Sequence, residues 1–183
     1  MLELVDSMDK TAVLWIAGHL RNGPMSCFFI FFTTLGNAGF LWIVCSFVML
    51  FLKRWRWTGI SAFTAMLLCF VLGELLMKEL ICRPRPPLQL DELSVLLPLP
   101  SGFSFPSGHA ASSFAAAGAF SRGIPLKWVK VLFFALAALM GFSRVYLGVH
   151  YPSDVLAGAG LGLLCGFAAW ELLRPLRKHF RSQ

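Results

Sequence analysis

The feature that most constrains this chain is a series of apolar blocks that are long enough to cross a membrane. A helix needs about 20 mostly apolar residues to span the hydrocarbon core of a bilayer. Hydrophobic residues make up 57% of the sequence and charged residues only 14%, well away from the averages of soluble domains. The chain is therefore predicted to be an all-α, polytopic bundle of transmembrane helices.

About five spans are predicted, at residues 25–52, 58–77, 106–120, 128–147 and 152–173. The first block is too long for one untilted span, and small and polar residues interrupt it at 33–37. It is interpreted as a short leading segment followed by the first crossing. The count rises to six if the leading segment crosses alone.

The amino-terminal segment differs from the apolar blocks. Residues 1–22 mix apolar and charged side chains, which predicts an amphipathic helix at the membrane interface, and residues 23–183 are assigned to the transmembrane domain. No cleaved leader is expected, because the first residues are acidic and no small-residue cleavage site follows. The five cysteines are dispersed and lack metal-type spacing.

The net charge of +7 is explained by membrane topology. Nucleic acid is not an expected partner, because the basic residues interrupt the spans and form no stripe with interleaved aromatics. With an odd number of crossings between them, three basic clusters share one face, which the positive-inside rule assigns to the cytoplasm. They are Lys53, Arg54 and Arg56; Arg122, Lys127 and Lys130; and Arg174, Arg177, Lys178 and Arg181. The protein is therefore placed in the cell membrane.

Polar residues at the outer ends of three spans have no such explanation. Ionisable groups near a bilayer are costly unless they are paired or solvated, so they indicate a functional site that faces away from the cytoplasm. Arg83 lies on this same outer face. The three groups are Lys78 with Arg85 and Pro86; Pro106, Ser107, Gly108 and His109; and Ser143, Arg144, His150 and Asp154.

The residue types in these groups favour phosphate chemistry. Lys78, Arg85 and Arg144 supply a positive field, and guanidinium groups match the geometry of phosphate oxygens. Ser107 is a plausible helix cap, and Gly108 permits close approach to the free amides of a helix start. Singly, a cation at a span end is usually a snorkelling anchor. Their joint occurrence on one face favours an active site.

A second feature of these groups is a pair of imidazoles with one carboxylate. Pro152 suits the first turn of the last span, which places His150 just outside that helix and Asp154 in its first turn. Asp154 can then orient one imidazole nitrogen and leave the other free to attack. The simpler interpretation is that Asp154 complements the helix dipole and the histidines are structural.

The spacing of these residues resembles the three-part signature of the type-2 phosphatidic acid phosphatase superfamily. The matching positions are Lys78-(six residues)-Arg85-Pro86, Pro106-Ser107-Gly108-His109, and Ser143-Arg144-(five residues)-His150-(three residues)-Asp154. The resemblance covers about residues 58–173 and implies an all-α bundle. Vanadium haloperoxidases share the site, but they lack membrane spans and are a poor match.

The resemblance implies a role for each residue. Lys78, Arg85 and Arg144, helped by Ser107 and Gly108, would bind phosphate. In the same scheme His150 would be the nucleophile, Asp154 would orient it, and His109 would protonate the leaving oxygen. No metal and no other cofactor is expected.

The expected function is a lipid phosphate or pyrophosphate phosphatase acting through a phosphohistidine, with substrates such as undecaprenyl pyrophosphate, phosphatidylglycerophosphate or phosphatidic acid. One alternative is a lipid phosphotransferase with the same site. Another is a non-catalytic lipid-phosphate binder or transporter. A metal hydrolase with His109, His150 and Asp154 as ligands is disfavoured, because three nearby cations would repel a divalent ion.

Three smaller features accompany the site. Glu74 precedes Lys78 by four residues, which favours a Glu–Lys pair on one helix face. Gly158, Gly162 and Gly166 form a small-residue face, interpreted as close packing within one bundle in preference to a dimer interface. Residues 90–97 fit either a short interfacial helix or an ordinary loop. The oligomeric state stays open, and membrane lipids are the expected surroundings.

Overall fold

The computed structural model describes residues 2–180, and all regular structure within that range is helical. The predicted all-α fold is thereby confirmed. The helices are α1 (Leu2–His19), α2 (Gly23–Leu35), α3 (Phe40–Phe51), α4 (Arg56–Cys69), α5 (Lys78–Ile81), α6 (Gly108–Gly123), α7 (Lys127–Tyr146), α8 (Pro152–Leu172) and α9 (Arg174–His179). A π-helical stretch, Phe70–Met77, joins α4 to α5, and short 3₁₀ turns cover Asn37–Gly39 and Pro86–Leu88.

Helix α6 lies at the centre of the bundle and packs against α4, α7 and α8. It is rich in Ala, Gly and Ser, and small side chains let neighbouring helices approach closely. The glycine face of α8 meets it directly: a Cβ on Gly158 would lie 2.5 Å from the carbonyl oxygen of Ser107, and one on Gly162 would collide with that of Ala111. The prediction of close packing within one bundle is confirmed.

The predicted interruption of the first apolar block is also confirmed. Helices α2 and α3 meet at a bend of 50°. Ala38 and Gly39 both adopt positive φ at the break, 51° and 73°, and a helix cannot continue through such residues. The 3₁₀ turn at the break, Asn37–Gly39, packs against α6.

By length and composition, the structure contains fewer candidate membrane spans than predicted. In residues 2–180, three helices are long and apolar enough to cross a membrane, or up to four if the bent α2–α3 pair is one span. The difference is α6, whose 16 residues reach only about 24 Å. Five crossings therefore stay a prediction. Helices α7 and α8 begin and end within one residue of their predicted spans.

Helix α1 packs against α7 and α8. Val13 is fully buried there, in a cluster with Leu93, Val145 and Tyr151. The opposite side of α1 exposes large apolar residues such as Trp15. This is the arrangement expected of a helix between bundle and lipid, while its predicted place at the membrane interface stays a prediction. Residues 90–97 form a loop and not a helix.

The basic clusters gather at one end of the bundle. The rings of Trp57 and Phe180, beside the first and third clusters, lie 5.8 Å apart between centroids. In the second cluster, Arg122 pairs with Glu171 at 2.9 Å, next to α9. Arg181, assigned to the third cluster, lies outside the described residues. The signature residues lie at the other end of the same helices.

Candidate active site

Arg85 is held in a fixed position at the end of the bundle opposite the basic clusters. Its side chain is 2% exposed, and it follows the last turn of α5 in extended backbone. Its Nε donates to the carbonyl oxygen of Gly102 at 3.1 Å, and Nη1 donates to that of Val149 at 3.0 Å. Because these bonds use the fork of the guanidinium, the cation cannot swing away from the site.

The same guanidinium faces His150, in the loop between α7 and α8. Arg85 Nη1 lies 3.2 Å from His150 Nε2. Since a guanidinium has donors only, Nε2 must accept, and the ring proton resides on Nδ1. Burial is the largest cause that lowers the pKa of His150 to about 4, and Arg144 and Arg85 act in the same direction against Asp154. The imidazole is therefore neutral at physiological pH, with its lone pair on Nε2.

Asp154 lies behind the other side of this imidazole. Its Oδ2 is 3.6 Å from His150 Nδ1, and the carboxylate is fully buried in the first turn of α8, as predicted. Oδ2 accepts hydrogen bonds from Ser104 Oγ at 2.6 Å and from the amide of Tyr151 at 2.8 Å. Oδ1 accepts from Arg83 Nη1 at 2.7 Å. The carboxylate is thus fixed by three donors while it faces the histidine.

His109 lies in the first turn of α6, at the edge of a cavity of about 320 Å³. Its Nε2 is 3.2 Å from Asn37 Oδ1, at the break between α2 and α3. The cavity wall also includes Glu74, Gly73 and the largely exposed Phe70. Much of this wall is apolar, and it extends from His109 to the outer surface of the bundle.

Arg144 and Lys78 complete the group of cations. Arg144, in the last turn of α7, is 3% exposed and donates from Nη1 to Thr33 Oγ1 at 2.6 Å. Lys78 Nζ pairs with Glu74 at 2.7 Å, which confirms the predicted pair. Arg144, His150 and Lys78 all lie within electrostatic range of His109. The three cations and both imidazoles therefore converge at one site.

The amino end of α6 adds backbone donors. Ser107 is the N-cap, and its Oγ accepts from the amide of Ala110 at 3.5 Å. The amide of Ser107 donates to the carbonyl oxygen of Asp154 at 3.0 Å, which joins the start of α6 to the start of α8. Gly108 follows directly, and a Cβ at this position would collide with Glu74 Oε1, so a larger residue would require the Glu74 side chain to move. The predicted helix start is confirmed.

Comparison with known proteins identifies the family of this chain. Residues 57–178 match the family model of the PAP2 superfamily. The chain belongs to the PAP2 superfamily. It is 34% identical to an undecaprenyl-diphosphatase of Sulfolobus acidocaldarius over 86% of this chain and 74% of that protein. It is 39% identical to phosphatidylglycerophosphatase B of Bacillus subtilis, over 88% and 79%.

Solved PAP2 structures share the fold. Aquifex aeolicus LpxE superposes with a TM-score of 0.80 at 31% identity and covers 90% of this chain and 95% of its own. A transmembrane PAP2-type phosphatidylglycerolphosphate phosphatase from Bacillus subtilis gives 0.77 at 29% identity, covering 94% and 87%. The predictions of a membrane protein and of an enzyme of the lipid phosphatase class are confirmed.

The PAP2 site contains residues that the sequence did not single out. Thr33 and Asn37 were noticed only as part of a helix interruption, and Ser104 not at all. Arg83 was noticed as a charge on the outer face without a role. Asp9 looked like any acidic residue of an amphipathic helix. Within residues 2–180, no group of three or more His, Cys, Asp or Glu side chains is placed to hold a metal ion.

Proposed function

We propose that this PAP2 protein is an integral-membrane phosphatase that removes a terminal phosphate from a lipid phosphate or pyrophosphate through a phosphohistidine on His150, without a metal. The observation that carries the proposal is the alignment of Arg85, His150 and Asp154. The cation is 3.2 Å from one imidazole nitrogen and the carboxylate is 3.6 Å from the other. This is the arrangement of an activated nucleophile beside an anion site.

The cations would hold the phosphoryl group. Arg85 lies next to His150 Nε2, so a phosphate at that nitrogen also meets the guanidinium. The Nε of Arg144 is buried and makes no hydrogen bond, which leaves it available to a phosphate oxygen. The amides at the start of α6 and the charge of Lys78 complete the binding set. Together they neutralise charge on the equatorial oxygens of the transition state.

The reaction would proceed in two steps, phosphorylation of His150 and hydrolysis of the phosphohistidine. His150 Nε2 forms a bond to phosphorus while the bond to the leaving oxygen breaks, and His109 donates a proton to that oxygen. Water then attacks the phosphohistidine, His109 accepts a proton from it, and inorganic phosphate leaves with His150 neutral again. The 3.6 Å gap to Asp154 is compatible with this, since catalytic hydrogen bonds are often long before substrate binds.

The leaving group would lie in the cavity beside His109. The apolar wall that ends at Phe70 suits a lipid chain. Asn37 would hold the His109 ring in place through Nε2. Undecaprenyl pyrophosphate, phosphatidylglycerophosphate and phosphatidic acid are the proposed substrate types, and the names of the relatives support the first two.

The proposal predicts metal-independent release of phosphate by the purified protein. We expect hydrolysis of a panel of lipid phosphates and pyrophosphates in detergent to survive excess EDTA and to be inhibited by vanadate, which imitates five-coordinate phosphorus. Phosphate release and transfer to a second lipid should be measured together. Activity lost in EDTA and restored by Mg²⁺ would overturn the mechanism. Transfer without release would favour the phosphotransferase, and binding without either would favour a non-catalytic protein.

The site is proposed to face away from the cytoplasm, because the basic clusters lie at the other end of the bundle. A chain with its five cysteines replaced gives two matched labelling positions, Glu92→Cys in the site-side loop and Lys53→Cys in a basic cluster, both exposed. In intact cells an impermeant maleimide should label Glu92→Cys and spare Lys53→Cys. The reverse pattern would invert the topology.

A further inference from the structure

Asp9 is a buried carboxylate on α1, outside the region that matches the PAP2 family model. Asp9 is 4% exposed, whereas Glu3 on the same helix is exposed. Burying a carboxylate is costly unless it is paired and hydrogen-bonded. Asp9 is both: Arg83 Nη2 donates to its Oδ2 at 2.8 Å, and Ser153 donates its amide to Oδ1 at 3.0 Å and its hydroxyl to Oδ2.

Arg83 connects Asp9 to Asp154. Its Nη1 donates to Asp154 Oδ1 at 2.7 Å, and its guanidinium lies 4.1 Å above the ring of Tyr151. Burial would lower the pKa of Arg83, but Asp9 and Asp154 outweigh it and the pKa is raised. The cation is therefore held mainly between Asp9 and Asp154, at 2.8 and 2.7 Å, while Asp6 Oδ1 is a more distant third partner at 3.5 Å.

The orientation of Asp154 in turn affects His150. A carboxylate is planar and rigid, so fixing Oδ1 through Arg83 also fixes the direction in which Oδ2 faces the imidazole. Oδ2 is the oxygen 3.6 Å from His150 Nδ1. A chain of contacts thus runs from α1 to the nucleophile through side chains that are all largely buried.

We propose that Asp9 is a positioning residue: it holds Arg83, Arg83 holds the carboxylate of Asp154, and that carboxylate aligns His150 for attack. The inference rests on the proposed roles of His150 and Asp154. It makes α1, which lies before the matched family region, a part of the machinery that sets the reaction rate. Docking of α1 is then required for full activity.

A purely structural role for Asp9 would be to fasten α1 to the bundle. Val13 also anchors α1, because it is fully buried against α7 and the loop after α5, so removing the charge of Asp9 leaves the helix docked. The two roles differ in their coupling to Asp154. If Asp9 acts by positioning Asp154, replacing Asp9 has little further effect on the rate once Asp154 has lost its charge. If Asp9 only fastens α1, replacing it lowers the rate by the same factor in both backgrounds.

The test compares Asp9→Asn in the wild-type and Asp154→Asn backgrounds. The measurement is the single-turnover rate at which a labelled lipid phosphate phosphorylates the enzyme in detergent. We expect Asp9→Asn to slow this step about 10–100-fold, the loss typical when a residue that orients a metal-binding side chain is replaced, with little change in KM. In the Asp154→Asn background, adding Asp9→Asn should lower the rate by less than about twofold. Glu3→Gln, a charge change on the exposed side of α1, is the matched control and should keep the wild-type rate.

Arg83→Gln provides a second variant, because it breaks the link to Asp154 while Asp9 keeps its bonds to Ser153. Like Asp9→Asn, it should lower the single-turnover rate in the wild-type background and have little further effect in the Asp154→Asn background. Equal losses in both backgrounds, or rates like that of Glu3→Gln for both variants, would overturn the inference while leaving the proposed function intact. If Asp154→Asn alone kept the wild-type rate, the proposed roles of His150 and Asp154 would fail, and this inference with them.

Discussion

Replacing His150 with alanine is expected to abolish both turnover and the phosphoenzyme. The fall in turnover should be at least about 10³-fold, because a covalent mechanism has no substitute for its nucleophile. The structure supports this choice of nucleophile, since the buried imidazole is neutral and its lone pair lies on Nε2, facing the Arg85 guanidinium. The measurement is steady-state phosphate release together with a quench in base, in which an N-linked phosphate survives.

The His150 experiment needs controls for folding. His150 is 3% exposed, so alanine leaves a cavity, and His150→Gln keeps more of the volume while removing the nucleophilic nitrogen. Both variants should elute like the wild type, and His150→Gln should unfold closer to the wild type than His150→Ala does. His19→Ala, at an exposed position of α1, should leave activity unchanged. Normal turnover by His150→Ala, or labelled phosphate found on His109, would show that the nucleophile is misassigned.

Replacing His109 with alanine should give a loss that depends on the leaving group. General acid catalysis is worth typically about 10²–10⁴-fold when the leaving oxygen needs a proton. A lipid alcohol needs that proton most, a lipid monophosphate leaving from a pyrophosphate needs it less, and a nitrophenolate needs it least. We therefore expect the largest loss with lipid monophosphates, a smaller one with pyrophosphates and the smallest with nitrophenyl phosphate.

The position of His109 explains why the pattern should follow the leaving group. It lines the cavity proposed for the lipid, while His150 lies on the side of Arg85. Asn37→Ala should show the same order of losses at smaller size, because the Asn37 side chain contacts the ring nitrogen of His109 and would act through it. Phosphoenzyme should still form from nitrophenyl phosphate in His109→Ala. An equal loss with all three substrate types would exclude His109 as the acid.

Much of the fold could be predicted because membrane spans have strong local signals. The ends of helices α7 and α8 were predicted to within one residue, because a membrane span needs a minimum length of apolar residues and Pro152 marks a helix start. The break at residues 33–37 was visible as an interruption of that pattern. The glycine face of α8 was visible as a four-residue spacing. The number of crossings was harder, because α6 is enclosed by other helices and needs no long apolar block of its own.

The π-helical stretch before α5 was not predicted. It continues α4 through Phe70–Met77, whose composition is that of an ordinary apolar helix. A change from α to π geometry alters which side chains face the site by a fraction of a turn, and nothing in the residue types marks it. Glu74 lies in this stretch beside Gly108, so the shape of the cavity depends on a feature that composition does not reveal.

The sequence by itself determined the class of chemistry. The chemistry is indicated by the types of residue at the span ends, which are cations, imidazoles and a carboxylate at fixed spacings. The eight proposed site residues could therefore be identified without coordinates. Only the tertiary structure decided which residues support them. Asp9, Thr33 and Asn37 lie before residue 57 and reach the site through helix packing, at contacts separated by as many as 144 positions in the chain. Such contacts leave no local pattern, because a short polar side chain becomes distinctive only once it is buried against its partner.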